Sequence, residues 1–454
     1  MSKVLKIKKC LKLNLKGGIS EGAEPINIKV TKVAVTPDDF VGSVPKLEVK
    51  VGDSVEAGDP LWHDKANEEI KIVSPVKGRV AEIERGEKRK ILKVVIEVSE
   101  EAGNGEKQPD VSDDEQAIKE RIKSAGLWAM MRQLPYDIVP VDNRKPVNIF
   151  ISAWDSAPLS AGYSLYLGKE ENVRSLREGV KALKKLTTGN VYVGFRKGDT
   201  FPAIPGAETV EIEGEYPASL PSVLCANIAP VNKGETVWLL GAEIAVRIGQ
   251  AVSGKKIDWT FPVAVVGSEV ENPSLVNVVA GAPVSELIKS VGLREDDCNK
   301  RLISGNVLVG EKVGEDGYLR YPYRQLTAIC EGDDKTEFMG WASVSPSKMS
   351  RSRSFPAFFL RKKKFEPDAR LNGGRRAMIM SGVYDRYIPM DIMAEYLIKA
   401  ILSRNIERME ELGIYEVTPG DFSAAEYADL SKLELQKIVR EGLDYMIKEV
   451  GTGD

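Results

Sequence analysis

The sequence predicts a multidomain protein of mixed α/β and α+β class. Its 454 residues are enough for about three domains, and 43% of them are hydrophobic, which can fill several separate cores. The hydrophobic pattern changes along the chain, from short strands to alternating strands and helices and finally to helices. These changes predict four domains, 1–104, 105–255, 256–335 and 336–454.

The first predicted domain, 1–104, consists of short strands separated by turns. Apolar residues alternate in KLEVKVGDSV and KVVIEV, and Gly or Pro interrupts the pattern in VGDSVEAGDPL and SPVKGRV. The order of these stretches resembles that of biotinyl and lipoyl carrier domains, which are small β barrel-sandwiches. The resemblance includes Asp64-Lys65-Ala66, the setting in which lipoyl carriers present their modified lysine.

Lys65 is predicted to carry no cofactor. Asn67, Glu68 and Glu69 lengthen the turn relative to carrier domains, and neither neighbour of Lys65 is the Met that biotin carriers favour. A swinging arm also needs active sites that accept it, and no other stretch resembles an acyltransferase or a carboxylase. A lipoyl or biotin carrier is therefore the least favoured function, and the adjacent His63 is interpreted as a surface residue.

Strands and helices alternate in the second predicted domain, 105–255. A helix is predicted from Ser112, with a capping box between Ser112 and Glu115. The strand VNIFISAW at 147–154, a helix near 170–186, the strands VYVGF, TVEIEG and TVWLLG, and a further helix follow. This alternation is typical of a Rossmann-like domain with a parallel sheet.

Neither nucleotide-binding motif of such domains is complete. The turn after VNIFISAW reads DSAPLSAGYS and lacks the G-x-G-x-x-G that cradles a pyrophosphate, so Asp155 and Ser156 are interpreted as a strand cap. Gly249 to Lys255 fits the start of a phosphate-binding loop, but Lys256 stands where Ser or Thr must bind Mg²⁺. The preceding AEIAVRIGQAV also predicts a helix rather than a strand. We therefore expect neither NAD nor flavin to bind here by the usual route.

The last two predicted domains differ in class. Residues 256–335 predict an α+β module of β-grasp type, with the strands VAVVG, VNVVAG and NVLVG around the helix PVSELIKSVG. Residues 336–454 begin with an irregular stretch and are then mainly helical, with helices near 390–412 and 424–449. A capping box between Ser423 and Glu426 is predicted to begin the last helix.

Composition excludes several classes of function. The 64 Lys and Arg against 67 Asp and Glu give a net charge of −3, which offers no general attraction to nucleic acid. The widely spaced Cys10, Cys225, Cys298 and Cys330 predict neither a zinc nor an iron–sulfur site and fit a reducing cytoplasm best. A single histidine, His63, excludes most hydrolase triads and His-metal sites. On these grounds we assign no catalytic residue and no metal ligand. No stretch predicts a secretory signal or a membrane-spanning helix, so we expect a soluble or at most peripheral chain.

One stretch, 354–365, predicts a contact surface. It places aromatic residues beside cations, namely Phe355, Phe358, Phe359, Arg361, Lys362, Lys363, Lys364 and Phe365. Nucleic-acid stacking, a membrane interface and a protein docking surface are three interpretations. The slightly acidic chain makes nucleic acid the weakest of them. Docking to a partner or a membrane stands level with a fourth interpretation, a loop whose aromatic side chains are buried.

Longer stretches resemble one family over almost the whole chain. They are, in order, KIKKCLKLNLKGG, VPKLEVKVGDSVEAGDPLW, SPVKGRVAEIERGEKRKI, AGLWAMMRQLPYDIVP, IFISAWDSAPLSA, KLTTGNVYV, TVWLLGAEIAVRIG, LISGNVLVG, LNGGRRAMIMSGVYDRYIPMDI and GLDYMIKEVG. By these residues the chain resembles the A subunits of the Na⁺-translocating NADH:quinone oxidoreductases (Na⁺-NQR).

The resemblance implies a role in a bacterial respiratory complex that couples NADH oxidation and ubiquinone reduction to Na⁺ export. This subunit would be peripheral, on the cytoplasmic side of the inner membrane, with a Rossmann-like part and a soluble-ligand-binding β-grasp part. It would be a quinone-proximal scaffold without a flavin or iron–sulfur centre. NAD would be used on another subunit, and the isolated chain would be inactive. Its partners would be the other subunits, especially an integral membrane subunit that 355–365 is expected to dock.

The family's link to quinone suggests where a ubiquinone would lie. A planar apolar head group with two carbonyls needs an aromatic or Met-lined cleft with one or two donors. Phe40, Trp128, Met131 and Tyr136 are apolar residues in turn-rich stretches near a predicted domain junction, so we take them as the quinone-proximal candidates. Packing between domains is the favoured alternative for them, and a stand-alone soluble-ligand-binding protein is the alternative function.

Overall fold

The computed structural model describes residues 3–20, 22–99, 111, 113–333, 349 and 363–452. Within these ranges lie ten helices, α1 to α10 in chain order: Glu115–Ser124, Ser164–Leu167, Glu170–Leu186, Pro221–Ile228, Ala242–Val252, Val284–Val291, Ala394–Leu402, Ile406–Glu411, Ser423–Ala428 and Leu435–Val450. The same ranges contain nineteen strands, β1 to β19: Lys3–Lys6, Ile26–Asn27, Lys32–Val35, Pro45–Leu47, Ser54–Val55, Pro60–Asp64, Lys71–Val73, Gly78–Arg85, Ile91–Val98, Arg132–Leu134, Asn148–Ser152, Val191–Arg196, Ala207–Glu213, Val237–Gly241, Thr260–Val266, Ser274–Val279, Lys300–Ser304, Glu311–Val313 and Gln325–Cys330.

A six-stranded sheet in the order β1-β13-β12-β11-β14-β10 forms the middle layer of the α/β part. Its strands pair in parallel except for β10. Both faces are covered: Ile149 and Ile151 of β11 belong to the core shared with α3 and α5, whereas Phe150 belongs to the core shared with α4 and the C-terminal helices. The helices predicted near 170–186 and over AEIAVRIGQAV are confirmed as α3 and α5.

Helices α3 and α5 pack closely because each contributes a glycine to the contact. A Cβ at Gly179 would lie 1.9 Å from the carbonyl oxygen of Ala245, and one at Gly249 would lie 1.8 Å from that of Ser175. Gly249, the first residue of the loop-like motif, is therefore a packing residue inside a helix. The motif has no strand-to-helix turn at which a phosphate could bind.

Two small sheets, β3-β9-β8-β5 and β4-β6-β7, share an apolar core in the N-terminal part. The first two strands, β1 and β2, lie outside these two sheets. Strand β1 pairs in parallel with β13, and β2 pairs with β16. The N-terminal segment thus adds one strand to each of the two larger sheets. Strand β1 pairs with β13, whose backbone groups would otherwise be unpaired at the edge of the parallel sheet.

The third part is a mixed sheet in the order β18-β17-β19-β15-β16-β2, with α6 sharing its core. The predicted strand NVLVG was wrong, since 305–310 forms a turn between β17 and β18. The side-chain oxygen of Asn306 accepts hydrogen bonds from the backbone N–H groups of Leu308 and Val309, at 2.8 and 3.3 Å. This local bonding stabilises a turn in place of a sheet ladder.

Helices α7 to α10 cover the second face of the parallel sheet and share its core. Two long helices were predicted in this region, and the structure divides each of them. The one predicted near 390–412 corresponds to α7 and α8, and the one predicted near 424–449 corresponds to α9 and α10. The predicted capping box at Ser423 was wrong: the box joins Thr418 and Asp421, one turn earlier. The predicted start at Ser112 was likewise early, because α1 begins at Glu115, and the side chain of Asp114 caps it by accepting from the backbone N–H of Ala117.

A buried lysine joins the N-terminal sheets to α1. The side chain of Lys123 is 2% exposed, and its Nζ lies 2.5 Å from Oε2 of Glu69 in the loop between β6 and β7. Nζ also donates to Asp142 and lies 5.5 Å above the ring of Trp128. Burial alone would lower the pKa of Lys123, but the hydrogen bonds to Asp142 and Glu69 outweigh burial and raise the pKa, so the ammonium remains charged.

Lys123→Met should lower the free energy of unfolding by about 2 kcal/mol, because it removes the buried partner of the Asp142 carboxylate. Urea unfolding followed by tryptophan fluorescence measures the change. Lys181→Met, which removes an exposed lysine of α3, is the control and should change stability by less than about 0.5 kcal/mol. Equal effects of the two substitutions would contradict a clamping role for Lys123.

The buried carboxyl group of Asp421 makes stability depend on pH. Its oxygens accept hydrogen bonds from the Ser222 hydroxyl at 2.6 Å and from the backbone N–H and hydroxyl of Thr418 at 2.7 and 2.9 Å. Burial nevertheless raises the pKa of Asp421 from 3.8 to about 6. Because the folded chain binds this proton more tightly than the unfolded chain, the contribution is present below about pH 4 and is lost as the pH rises through about 6.

Asp421→Asn removes this titration. The unfolding free energy of the variant minus that of the natural chain should rise by about 2 kcal/mol between pH 4 and pH 7, whatever its value at pH 4. Denaturant unfolding at several pH values measures this slope. Asp297→Asn, which removes an exposed carboxylate, is measured in parallel as the control. A flat difference for Asp421→Asn would refute the assignment.

Candidate functional site

The candidate site lies where the strand order of the parallel sheet reverses. Strand β11 is flanked by β12 on one side and by β14 on the other, so the loops that follow β11 and β14 diverge and leave a crevice. Asp155 follows β11, and β14 leads directly into α5, whose second residue is Glu243. Ligands of open α/β sheets bind in such crevices, at the carboxyl ends of the strands.

Glu243 and Tyr163 form a buried hydrogen-bonded pair in this crevice. Glu243 lies in the first turn of α5, where the helix N-terminus favours a carboxylate, and it accepts a hydrogen bond from the hydroxyl of Tyr163. Burial raises the pKa of Tyr163 well above its usual value, so this hydroxyl keeps its proton. A Cβ at Gly241, just before the helix, would lie 2.2 Å from the Glu243 carboxylate, so a larger residue there would displace that carboxylate.

Arg324 directly precedes β19 of the third sheet and lies in the crevice beside Tyr163 and Asp155. Its guanidinium lies 4.0 Å from the ring centre of Tyr163 and 5.1 Å from that of Phe261. It also pairs with the carboxylate of Asp155 at 3.2 Å. Burial alone would lower the pKa of Arg324, but Tyr163, Glu243 and Asp155 outweigh burial and raise it. A permanent cation therefore holds the third sheet against the parallel sheet.

A cavity of about 30 Å³ remains beside this cation, which is room for one or two water molecules. Its lining includes Glu243, Arg247, Phe261, Tyr321, Tyr323 and Arg324. Arg247 is held by the carbonyl oxygens of Asp258 and Trp259, at 3.1 and 3.0 Å. The hydroxyl of Tyr166, whose ring lies 4.6 Å from that of Phe261, is buried and has no hydrogen-bond partner among the described residues.

An aromatic contact joins this region to the N-terminal sheets. The rings of Phe40 and Tyr321 stack with centres 5.7 Å apart and planes 11° apart. The hydroxyl of Tyr321 donates to the carbonyl oxygen of Met130 at 2.5 Å, and Trp62 packs edge-on against Phe40. Three parts of the chain therefore meet at one stacked pair.

An ion pair and an arginine surround that stack. Asp39 accepts from Nε of Arg320 at 2.6 Å and from the backbone N–H of Tyr321 at 3.2 Å. Burial raises the pKa of Asp39 to about 6, although its bond to Arg320 acts in the opposite direction. Arg132 donates through Nη2 to the carbonyl oxygen of Asp39 at 2.6 Å. Its Nη1 is buried with no partner among the described residues, so one donor is free for an acceptor.

Three of the four quinone-proximal candidates belong to the same large core, which the N-terminal and α/β parts share. Phe40, Trp128 and Met131 are buried in one core, whereas Tyr136 lies in the other core, edge-on to Tyr415. The indole N–H of Trp128 donates to the carbonyl oxygen of Pro140 at 2.8 Å, so Trp128 has no free donor.

Sequence reasoning missed the residues that complete the site. Tyr321, Tyr323 and Arg324 come from the tetrapeptide YPYR, an aromatic and basic stretch of the kind that drew attention to 354–365. Tyr163 and Glu243 gave no local signal, because only the folded sheet brings them together.

The hairpin loop with Lys65 is docked rather than free-standing. Lys65 is exposed at the start of the loop 65–70, and Glu69 of the same loop pairs with Lys123. His63 was predicted to be a surface residue, and this was wrong: it is 8% exposed, with Nδ1 2.7 Å from a carboxylate oxygen of Glu48. His63 lies on β6, the central strand of its sheet, which pairs with β4 on one side and with β7 on the other.

Most of the predicted docking stretch lies outside the described residues. This applies to Phe355, Phe358, Phe359, Arg361 and Lys362, whereas Lys363 and Lys364 are exposed. Phe365 is buried, and its backbone exchanges hydrogen bonds with Asn14 and Lys16 at 2.8 and 2.9 Å. The end of the stretch is thus attached to the N-terminal segment.

Two cysteines far apart in sequence meet in the third sheet. Cys298 and Cys330 are joined by a disulfide, and a carboxylate oxygen of Glu269 lies near both sulfur atoms. Their spacing of 32 residues gave no signal in the sequence. Among the described residues, Glu269, Cys298 and Cys330 form the group that could hold a metal ion. The sulfur atoms of the two cysteines are, however, bonded to each other.

None of the described helices is both long and apolar enough to cross a membrane. Three family models match successive parts of the chain: the NqrA N-terminal barrel-sandwich hybrid domain over 5–99, the NqrA second alpha/beta domain over 113–256, and the NQRA C-terminal domain over 262–315. The N-terminal pair of small sheets is therefore a barrel-sandwich, followed by an α/β domain.

The A subunits of Na(+)-translocating NADH-quinone reductases are similar to this chain over nearly the full length. The chain is 31% identical to the one from Neisseria meningitidis serogroup B, with 98% of this chain and 100% of the relative covered. It is 30% identical to the one from Pasteurella multocida with the same coverage, and 29% identical to the one from Rhodopirellula baltica, with 98% of each covered.

Among solved structures, a crystal structure of an NAD+-reducing [NiFe]-hydrogenase aligns with 75% of this chain and 62% of its own, at 9% identity and a TM-score of 0.36. That score is too low to support a shared fold. The full-length likeness to the curated relatives and the three matching models lead to one conclusion: the chain belongs to the NqrA family, the A subunits of the Na⁺-translocating NADH-quinone reductases.

Proposed function

We propose that this chain is a peripheral subunit of a complex that couples NADH oxidation and ubiquinone reduction to Na⁺ export. It is a scaffold for the other subunits that carries no redox cofactor, and its three-part junction lies beside the quinone. The observation that carries the proposal is the likeness to subunits of that name over 98% of the chain. In this proposal the complex is the enzyme, NAD is used on another subunit, and the isolated chain is inactive.

The crevice of the parallel sheet supports a role without a dinucleotide. We interpret the α/β domain as Rossmann-like, and in such domains free backbone N–H groups after the first strand bind the pyrophosphate. Here the backbone N–H of Ser156 donates to the Ser219 hydroxyl at 2.9 Å, and that of Ala157 donates to the Asp155 carboxylate at 2.9 Å. Arg324 pairs with Asp155 beside them. Both backbone N–H groups therefore already donate within the chain rather than to a pyrophosphate.

The stacked pair at the junction supports a position beside the quinone. A quinone ring could take the place of Tyr321 against Phe40, since stacking on one flat apolar face needs no particular substituent. The free Nη1 of Arg132 could then donate to one quinone carbonyl. The cavity of about 30 Å³ is too small for such a ring, so binding requires Tyr321 to move away from Phe40. Trp128 and Met131 belong to the supporting core.

The position in the complex follows from the same family membership. We place the chain on the cytoplasmic side of the bacterial inner membrane, bound to an integral membrane subunit through 355–364. The exposed Lys363 and Lys364 agree with a contact surface. The buried Phe365, which follows this stretch, is hydrogen-bonded to the N-terminal segment. Nucleic acid is not among the proposed partners.

Two other functions are distinguishable from this one. A stand-alone soluble-ligand-binding protein would use the third sheet, interpreted as a β-grasp module, and would stay unpartnered in its native host. A lipoyl or biotin carrier would show added mass on Lys65. The loop of Lys65 is held to α1 through Glu69 and Lys123, which disfavours a swinging arm.

In the intact complex, a photoreactive ubiquinone analogue should label peptides that contain Phe40, Met131 or Tyr321. Phe40→Ala should reduce this labelling and raise the KM for quinone about tenfold, because it removes the stacking surface while the rest of the core remains. Mass spectrometry of the labelled peptides and quinone-dependent NADH oxidation measure the two effects.

Phe195→Ala is the matched control, since Phe195 and Phe201 form another stacked pair, with ring centres 4.6 Å apart. It should leave the KM for quinone unchanged. Labels confined to other subunits, or an equal effect of the two alanine substitutions, would refute the quinone part of the proposal. A chain that never co-isolates with membrane subunits would refute membership of the complex.

A further inference from the structure

We propose that Cys298 and Cys330 form a redox-active dithiol–disulfide site that exchanges with low-molecular-weight thiols and disulfides. Their Cα atoms are 5.8 Å apart, which suits a disulfide, and their sulfur atoms are bonded. Both residues are partly exposed, so a small reagent can reach the sulfur atoms. Where thiols are kept reduced, as on the proposed cytoplasmic side, disulfides are mostly transient and redox-active.

Charged side chains surround one of the two sulfur atoms. The ammonium Nζ of Lys300 lies 3.3 Å from Sγ of Cys298 and 2.9 Å from Oε2 of Glu269, and that oxygen lies 3.3 Å from the same sulfur. Asp296 also accepts from Lys300, but its side chain is 44% exposed and therefore screened by water. Lys300 favours a thiolate on Cys298, whereas the buried carboxylate of Glu269 opposes it.

The surrounding sheet keeps its shape in either redox state. Strands β17 and β19 are paired over five residue pairs, from Lys300 with Cys330 to Ser304 with Leu326. Breaking the sulfur–sulfur bond therefore need not separate the strands. A metal ion fits the cluster less well than thiol exchange does, because the ammonium group of Lys300 already occupies the cation position between Glu269 and Cys298.

The exchange runs in two balanced steps. The thiolate of Cys298 attacks one sulfur of a small disulfide RSSR, which forms the mixed disulfide on Cys298 and releases RS⁻. Cys330 then loses its proton and attacks Sγ of Cys298, which releases the second RS⁻ and closes the protein disulfide. The two thiol protons end on the two released thiolates. The two cysteines are oxidised and RSSR is reduced to two RSH, and two RSH reverse the process.

The test uses the full chain with Cys10→Ser, so that the partly exposed Cys10 does not react. After reduction, oxidised glutathione should convert this chain to a form lighter by two hydrogens and without an adduct. With Cys330→Ser in addition, one glutathione should stay on Cys298. With Cys298→Ser instead, the adduct on Cys330 should form about tenfold more slowly. Intact-mass spectrometry follows each reaction, and urea unfolding confirms that each variant is folded.

Two substitutions beside the sulfur separate a reactive site from a structural bond. In the Cys330→Ser chain, Lys300→Met should slow adduct formation about tenfold, Lys300→Arg should retain most of the rate, and Glu269→Gln should increase it. Equal rates at Cys298 and Cys330, or no response to Lys300→Met, would overturn the proposal in favour of a purely structural bond. Stoichiometric Zn²⁺ binding by the reduced chain that blocks exchange would overturn it in favour of a metal site.

Discussion

The arrangement of the site depends on one largely buried cation, Arg324, whose side chain is 20% exposed. A guanidinium removed from water is tolerated only where carboxylates and aromatic faces compensate for its lost hydration. Asp155 and the ring of Tyr163 supply that compensation from the parallel sheet, while Arg324 itself belongs to the third sheet. The two sheets are thereby held in one relative position. The crevice at the carboxyl ends of β11 and β14 owes its shape to this contact.

Other cations that are at least partly buried join the remaining parts in the same way. Arg320 pairs with Asp39, Lys123 pairs with Glu69, and Arg440 of α10 donates to the carbonyl oxygen of Tyr136. Each of these cations reaches from one part of the chain to another. Buried ionic contacts demand particular partners and geometry, whereas apolar surfaces can slide. This favours a rigid body suited to organise neighbouring subunits, as we propose for this chain.

The sequence alone predicted the classes of structure well where hydrophobic patterns are long. The strands and helices between 147 and 252 and the carrier-like N-terminal β part depend on such patterns, whereas the family resemblance depends on particular stretches of residues. Short-range bonding was harder to foresee: Asn306 turns a predicted strand into a loop, and Asp114 and Thr418 cap helices where Ser112 and Ser423 were expected. In each case one side chain bonds to nearby backbone and outweighs the local pattern.

The sequence by itself determined the family, the order of β, α/β and helical parts, and the aromatic character of Phe40 and Trp128. The tertiary structure decided which residues meet. It placed Tyr321 on Phe40 and Arg324 on Tyr163, separated Tyr136 from the other candidates, buried His63 and joined Cys298 to Cys330. The physical reason is that periodicity reports which face of an element is buried, while the partner of each buried ring, charge or thiol depends on long-range packing that no local pattern encodes.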